Sequence, residues 1–275
     1  MDGKVLARNL TQLCADLQDY ATKNSLPAPS AARAKTAGLI SADIPLSNGT
    51  GADRFAEIVD RGSLLCLNRL VTEGLRTIDS THPPVEQTLG TADSVFLFAA
   101  PFRFPSSECG FLFSRSLEEA ESTTGTATPF DSGGLVKVFQ RSDPAESPID
   151  FLHRHELPIP EHRELLRESM KLLFDDPWHY IEGVEPHWPG PIGLQGGDQR
   201  RWTHEVRIHE ELSVRHHLEA VFVAKSRAND PRIQKFLEYC QQGNVYYDMF
   251  EAPRSGEFTI LKDRCLKYIR TKLTG

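Results

Sequence analysis

A chain of 275 residues, 39% hydrophobic and 25% charged, has ordinary globular composition and can bury a full core without metals or disulfides. Its 31 Lys and Arg stand against 38 Asp and Glu, and the net charge of −7 excludes nucleic-acid binding through global positive charge, leaving only a local basic patch for that purpose. Five scattered cysteines, Cys14, Cys66, Cys109, Cys240 and Cys265, without a C-x-x-C pair, argue against a disulfide framework and a cysteine zinc site.

In chain order, Val5, Leu6, Leu10, Leu13, Cys14, Leu17 and Tyr20 recur at helical spacing and predict an amphipathic helix over roughly residues 3–22. Leu26-Pro27-Ala28-Pro29-Ser30 breaks it, and the Ala-rich segment to about Lys35 reads as a second short helix or a connector. Residues 1–40 are therefore expected to form an N-terminal helical segment ahead of a single catalytic domain over 41–275. Leu46 to Leu65 reads as strand, turn, helix and glycine stop, with Gly49 and Gly51 flanking Thr50, Phe55, Ile58 and Val59 on one helix side, and Gly62 at its end. Glycines beside a turn let a planar ligand approach the backbone, and they are equally an ordinary loop pair.

Asp93–Ala100 and Gly110–Ser114 are β-branched and aromatic enough for strands, joined through Phe102–Pro105 as a hairpin or neighbouring pair. The small polar run Ser122–Thr128 reads as a surface connection, and Asp131 and Ser132 beside Gly133 and Gly134 either continue it or line a pocket. Leu135–Phe139 alternates as a strand, Ser142–Pro148 is a connector, and Glu161–Phe174 is the clearest helix of the middle region. Trp178–Pro191 is irregular. In Trp202–His209 the period of two sets Glu205 with Thr203 and Arg207, opposite the apolar residues, on a strand with one packing face and one face for chemistry. Leu218–Val223 predicts a strand pairing near that of Glu205, followed by a helix after Pro231, a strand at Val245–Tyr247 and a basic amphipathic helix over Ile260–Leu273. The order of elements predicts an α+β fold rather than a doubly wound parallel sheet. No run of about 18 apolar residues and no charged-then-apolar leader at Met1 occurs, so the expected setting is cytoplasmic, with no membrane span.

Three chemistries compete for the site. His153 and His155, with Glu156, suggest a metal-dependent nuclease or hydrolase, but none of the ten histidines falls in a compact zinc spacing such as H-E-x-x-H. Cys109 is either a thiol nucleophile or a buried small residue, and the second reading is preferred. G-x-S-x-G, the Walker loop and G-x-G-x-x-G are all missing.

The third comes from two segments about 155 residues apart. Ser47-Asn48-Gly49-Thr50, followed by Phe55-Ala56-Glu57-Ile58-Val59-Asp60-Arg61-Gly62-Ser63-Leu64, resembles the first NAD-binding segment of the ADP-ribosyltransferase superfamily. Thr203-His204-Glu205-Val206 resembles its catalytic strand, and the style is nearest to bacterial toxin enzymes that modify nucleic acid. Asn48 stands where histidine or arginine is usual, and Phe96 or Phe98 where a tyrosine would stack on nicotinamide. The resemblance implies an α+β fold with the split central β-sheets of that family and flanking helices. It also implies NAD⁺ as the source of ADP-ribose, with Glu205 holding the ribose and stabilising its oxocarbenium. Asn48, Gly49 and Thr50 would grip the nicotinamide end, and Arg200 and Arg201 the pyrophosphate or an anionic acceptor. The implied acceptor is a macromolecule, nucleic acid or protein, with an antitoxin or chaperone as a possible partner and toxin or phage-defence biology as the context. A non-enzymatic binding or immunity module of the same fold is the alternative.

Overall fold

The computed structural model describes residues 10–79, 83–100, 107–120, 125–139, 147–188, 198–251 and 260–274. The chain opens with helices α1 (Leu10–Lys23) and α2 (Ala31–Asp43), then strand β1 (Leu46–Thr50), α3 (Ala52–Arg61), β2 (Ser63–Leu65), α4 (Leu67–Thr72) and α5 (Val85–Thr88). Next come β3 (Ser94–Ala100), β4 (Cys109–Phe113), α6 (Ser116–Ala120), β5 (Thr126–Thr128), α7 (Gly133–Phe139), α8 (Pro148–His155), β6 (Leu157–Pro158), α9 (Ile159–Leu173) and α10 (Pro177–Glu182). The last third holds β7 (His204–His209), β8 (Glu211–Ser213), β9 (Leu218–Ala224), α11 (Pro231–Gln242), β10 (Tyr246–Phe250) and α12 (Ile260–Thr274). The fold is α+β. Among the described residues an eight-stranded mixed sheet runs β10-β9-β4-β1-β3-β7-β5-β6, and β2 and β8 form a separate pair.

Capping accounts for several helix boundaries. Ser30 accepts from the Arg33 N–H to start α2, Asp230 accepts from Arg232 to start α11, and Gly62, at φ 88°, ends α3 in the left-handed conformation that disfavours a Cβ. The inner side of α3 carries Phe55, which stacks on Phe111 of β4 at 4.8 Å, with Phe236 of α11 edge-on to both. Pairs of this kind add about 0.5–1.5 kcal/mol each beyond the area they bury. α1 and α2 both pack on α9, and α2 runs through residue 40.

Four sequence expectations change. Leu135–Phe139 is helical, because the Asp131 carboxylate accepts the Gly133 N–H at 2.9 Å and the Asp131 carbonyl accepts that of Gly134, a local cap that outweighs the β-branched pattern. β3 and β4 are not a hairpin: β1 lies between them, antiparallel to both, while Phe102–Pro105 lies outside the described residues. β9 pairs with β4 and β10 and is separated from β7 by three strands, β4, β1 and β3. The irregular stretch after Asp176 begins as α10, capped by the Asp176 side chain on the Trp178 N–H.

Candidate functional site

β1 and β3 are in register at a single pair, Ser47 opposite Phe98, where the Ser47 hydroxyl donates to the Phe98 carbonyl. Beyond that pair the two strands part. One further link crosses the gap: the Asn48 side-chain amide donates to the Phe96 carbonyl at 3.1 Å. The wedge between them is a cavity of about 210 Å³, lined from β1 by Asn48, Gly49 and Thr50, from β3 by Phe96, and from α3 and the segment after α4 by Arg54 and Arg76. A second, outer cavity of about 640 Å³ shares Arg54, Ile58, Leu64, Leu65, Leu70 and Arg76 with the first and continues over Glu57, Arg61 and Leu75. Arg54 and Arg76, both exposed residues, are thus among the residues common to the two lobes. Among the described residues neither has a carboxylate within ion-pair distance. Desolvation, and then the charge of Arg76, depress the pKa of Arg54, opposed by Glu57 and by Glu86, which lines the same cavity.

Glu205 lies two strands from β1, on the rung that closes the wedge. Ser47, Phe98, Glu205 and Thr128 stand opposite one another across β1, β3, β7 and β5, and directly paired residues share a sheet face. Phe96, two residues along β3, stands opposite Arg207. The cavity wall and Glu205 are thus about 7 Å apart along β3 and one strand spacing across it. Asn48 alternates with Ser47 on β1, so it lines the cavity from the other face and bridges the parted strands.

The expectation that β7 offers an open face does not hold. It is an interior strand, with Glu205 1% exposed and Arg207 4% exposed. The cover is the turn before α7: the Ser132 N–H donates to Glu205 Oε2 at 3.1 Å, and the neighbouring Asp131 N–H is pinned to the Arg200 carbonyl. Glu205 Oε1 has no hydrogen-bond partner, nor has the Arg207 Nε, 3.8 Å away. Burial and the Asp131 charge push the Glu205 carboxyl up to about 8, against the opposing pull of Arg207 and Ser132.

The arginines singled out from the sequence are committed elsewhere. Arg200 is held by Asp198, its Nε at 2.9 Å, Arg201 pairs with Glu185 and lies over the Trp202 ring, and Arg207 pairs with Glu156. Gly196 and Gly197 lie outside the described residues. His153 is exposed and His155 is stacked on Phe151, and among the described residues no three His, Cys, Asp or Glu side chains gather as a metal site. Cys109 is fully buried, and burial pushes its thiol up to about 11, the state of a packing residue rather than a nucleophile.

Three groups escaped the sequence reading. Arg54 and Arg76 were missed because they are 22 residues apart and meet only once α3 and the segment after α4 fold together. A buried pair, His162 Nε2 and His204 Nδ1 at 2.8 Å, sits at the root of β7 with the Tyr180 hydroxyl accepting the His204 N–H. Burial drives His204 down to about 3 and His162 well below the usual histidine range, so both are neutral at pH 7 and serve as a rigid anchor for the strand carrying Glu205.

No family model matches the sequence, and no curated protein matches it. Among solved structures, Thermus sp. 2.9 DarT in complex with NAD⁺ is similar at 11% identity and a TM-score of 0.41, over 76% of this chain and 96% of that one. The same protein in complex with ADP-ribosylated ssDNA gives 10% identity and a TM-score of 0.39, over 76% and 94%. Thermosipho africanus DarTG in complex with ADP-ribose gives 9% identity and a TM-score of 0.41, over 74% of this chain and 49% of that one.

Proposed function

We propose that the chain is an ADP-ribosyltransferase that uses NAD⁺ and transfers ADP-ribose to a macromolecular acceptor, nucleic acid or protein, through Glu205. The observation that carries this reading is the pair of unneutralised guanidiniums, Arg54 and Arg76, at the waist of a two-lobed cavity. Two like charges on one cavity wall, with Glu86 and Glu57 on the same lining but no carboxylate within ion-pair distance among the described residues, favour a polyanionic ligand centre, and two lobes on either side of that centre suit a pyrophosphate flanked by two nucleosides. The inner lobe alone is smaller than the ~300–1,000 Å³ of pockets that enclose a whole ligand, and the outer lobe supplies the remainder.

In this reading nicotinamide and its ribose occupy the inner lobe against Phe96 and the Asn48–Thr50 backbone, with the adenosine outside. As the bond from the ribose carbon to nicotinamide breaks, its electron pair leaves with the ring and positive charge develops on the sugar. The Glu205 carboxylate lies one rung away and stabilises that cation. Binding and ionisation are linked: a cationic nicotinamide ribose beside Glu205 favours the carboxylate over the protonated acid that its burial imposes. As the substrate enters, the Ser132 hydrogen bond to Glu205 is exchanged for one from the ribose, while the contacts of Asp131 are kept. Residues 41–275 carry this machinery in the proposal, with α1 and α2 bracing α9.

The test is incubation of purified protein with NAD⁺ and, in separate arms, single-stranded DNA, RNA and a protein extract, reading nicotinamide release and label transfer. The reading predicts release that Glu205→Gln abolishes. It fails if NAD⁺ neither binds nor turns over, or if Glu205→Gln releases nicotinamide at the wild-type rate.

A further inference from the structure

A carboxylate that stabilises a sugar cation does not complete the transfer, because an O–H or N–H nucleophile must also lose a proton. A second carboxyl group, that of Asp131, belongs to the residue next to Ser132, whose N–H holds Glu205, and its charge acts on Glu205. Asp131 is half-buried where Glu205 is buried, and it sits on the turn whose Ser132 N–H binds Glu205. Its placement is fixed at three points: the Asp131 N–H donates to the Arg200 carbonyl at 2.9 Å, its carbonyl accepts the Gly134 N–H, and its Oδ1 accepts the Gly133 N–H at 2.9 Å. A Cβ at Gly133 would stand 3.0 Å from Asp131 Oδ1, so glycine at this position leaves room for the carboxylate. Beneath the turn lie two buried polar atoms without hydrogen bonds, Glu205 Oε1 and Arg207 Nε, 3.8 Å apart and too far from each other to satisfy one another. Unsatisfied buried groups are uncommon in native folds, and a catalytic role, water or an ion accounts for them. The Asp131 charge also acts on Glu205 directly, as the second largest influence on its carboxyl group after burial.

We propose that Asp131 is the catalytic base of the transfer, taking the proton from the nucleophile that attacks the ribosyl cation held by Glu205. This rests on the ADP-ribosyl-transfer reading. The step balances: the bond to nicotinamide breaks with its electrons, the nucleophile's oxygen or nitrogen bonds to the ribose carbon, and its proton passes to the Asp131 carboxylate and then to solvent. Glu205 and Asp131 thus divide the work as two carboxylates do in glycoside cleavage, one stabilising the cation and one serving the incoming group.

The experiment uses the full chain, NAD⁺, water as acceptor, and sodium azide as an anionic nucleophile with no proton to lose. Asp131→Asn should slow nicotinamide release into water by about 10²–10⁴-fold, the usual worth of a general base. Azide should restore release and yield ADP-ribosyl azide, while Glu205→Gln stays inactive with and without azide. Asp131→Asn retains both backbone contacts and an oxygen for the Gly133 N–H, and NAD⁺ binding and melting temperature report whether it is folded. Wild-type turnover that Glu205→Gln abolishes but Asp131→Asn leaves unchanged overturns this inference alone. So does a folded, NAD⁺-binding Asp131→Asn that azide fails to rescue. A wild type that neither binds nor cleaves NAD⁺ overturns the transferase reading and this inference with it.

Discussion

The molecule holds arginines in two different electrostatic conditions. Arg200, Arg201 and Arg207, close together in the sequence around β7, are each neutralised, by Asp198, Glu185 and Glu156. Arg54 and Arg76, which the sequence separates, share a cavity wall with no ion-pair partner among the described residues. The density of arginine in a short stretch does not measure available charge. The carboxylates that answer it lie 16 and 51 positions away for Arg201 and Arg207, and only folding brings them up. The first set stiffens the region around Glu205, while the second keeps its attraction for an anion at a cost to the empty protein.

The sharpest way to break this division is at the chemistry. Glu205→Gln keeps the side-chain volume and the acceptor for the Ser132 N–H but cannot answer a developing cation. Loss of one such electrostatic group costs at least about 10²–10³-fold in kcat and should take release to the background rate, with NAD⁺ affinity little altered, as nicotinamide release and calorimetry would read it. The binding side comes next. Arg54→Ala or Arg76→Ala should weaken NAD⁺ by about 10–100-fold, the worth of a charge-assisted contact, with kcat less affected. Each should also raise the melting temperature of the ligand-free protein, because removing one guanidinium relieves the other. If affinity holds while stability rises, the waist of the cavity does not bind the dinucleotide.

The paired arginines give the counter-experiment. Arg200→Ala should leave NAD⁺ affinity within about twofold, since its guanidinium is already occupied by a surface-proximal carboxylate. Arg201→Ala strips both the Glu185 contact and the packing over Trp202, and should lower the melting temperature by the equivalent of about 1–3 kcal/mol. A large loss of affinity from Arg200→Ala would return anion binding to the region preceding β7.

Local pattern carried much of this architecture. The Leu46–Leu65 segment reads through because strand, helix and the Gly62 stop are each dictated by their own residues, and the strand that carries Glu205 reads through because period two on His204–Ile208 survives in β7. The remainder is non-local. Nothing in Ser94–Phe113 says that β1 will enter between β3 and β4, and β-strand identity does not determine sheet neighbours. Leu135–Phe139 misled because its β-branched residues count for less than the cap from Asp131, four residues before Leu135. The burial of Glu205 was hidden for a related reason: alternation marks a polar face, but only tertiary structure says what covers it.

The smallest expected effect tests that cover through stability. In the unfolded chain the Glu205 carboxyl titrates near the ordinary value of 4.5, whereas in the folded protein burial and Asp131 push it up to about 8. Between these values the folded state holds a proton that the unfolded state has released, so this group lowers stability as pH rises from about 4.5 to 8 and contributes no penalty below that window. Glu205→Gln, uncharged throughout, removes the dependence. Its melting temperature should match that of wild type near pH 4.5 and exceed it near pH 8, by about 2–4 °C for each kcal/mol relieved. Asp131→Asn should recover part of the same difference, because it removes the second cause of the shift and leaves the first. Parallel melting curves for wild type and Glu205→Gln across this range would mean that the carboxylate is already solvated in the folded protein, and that the Asp131–Ser132 turn does not close over it.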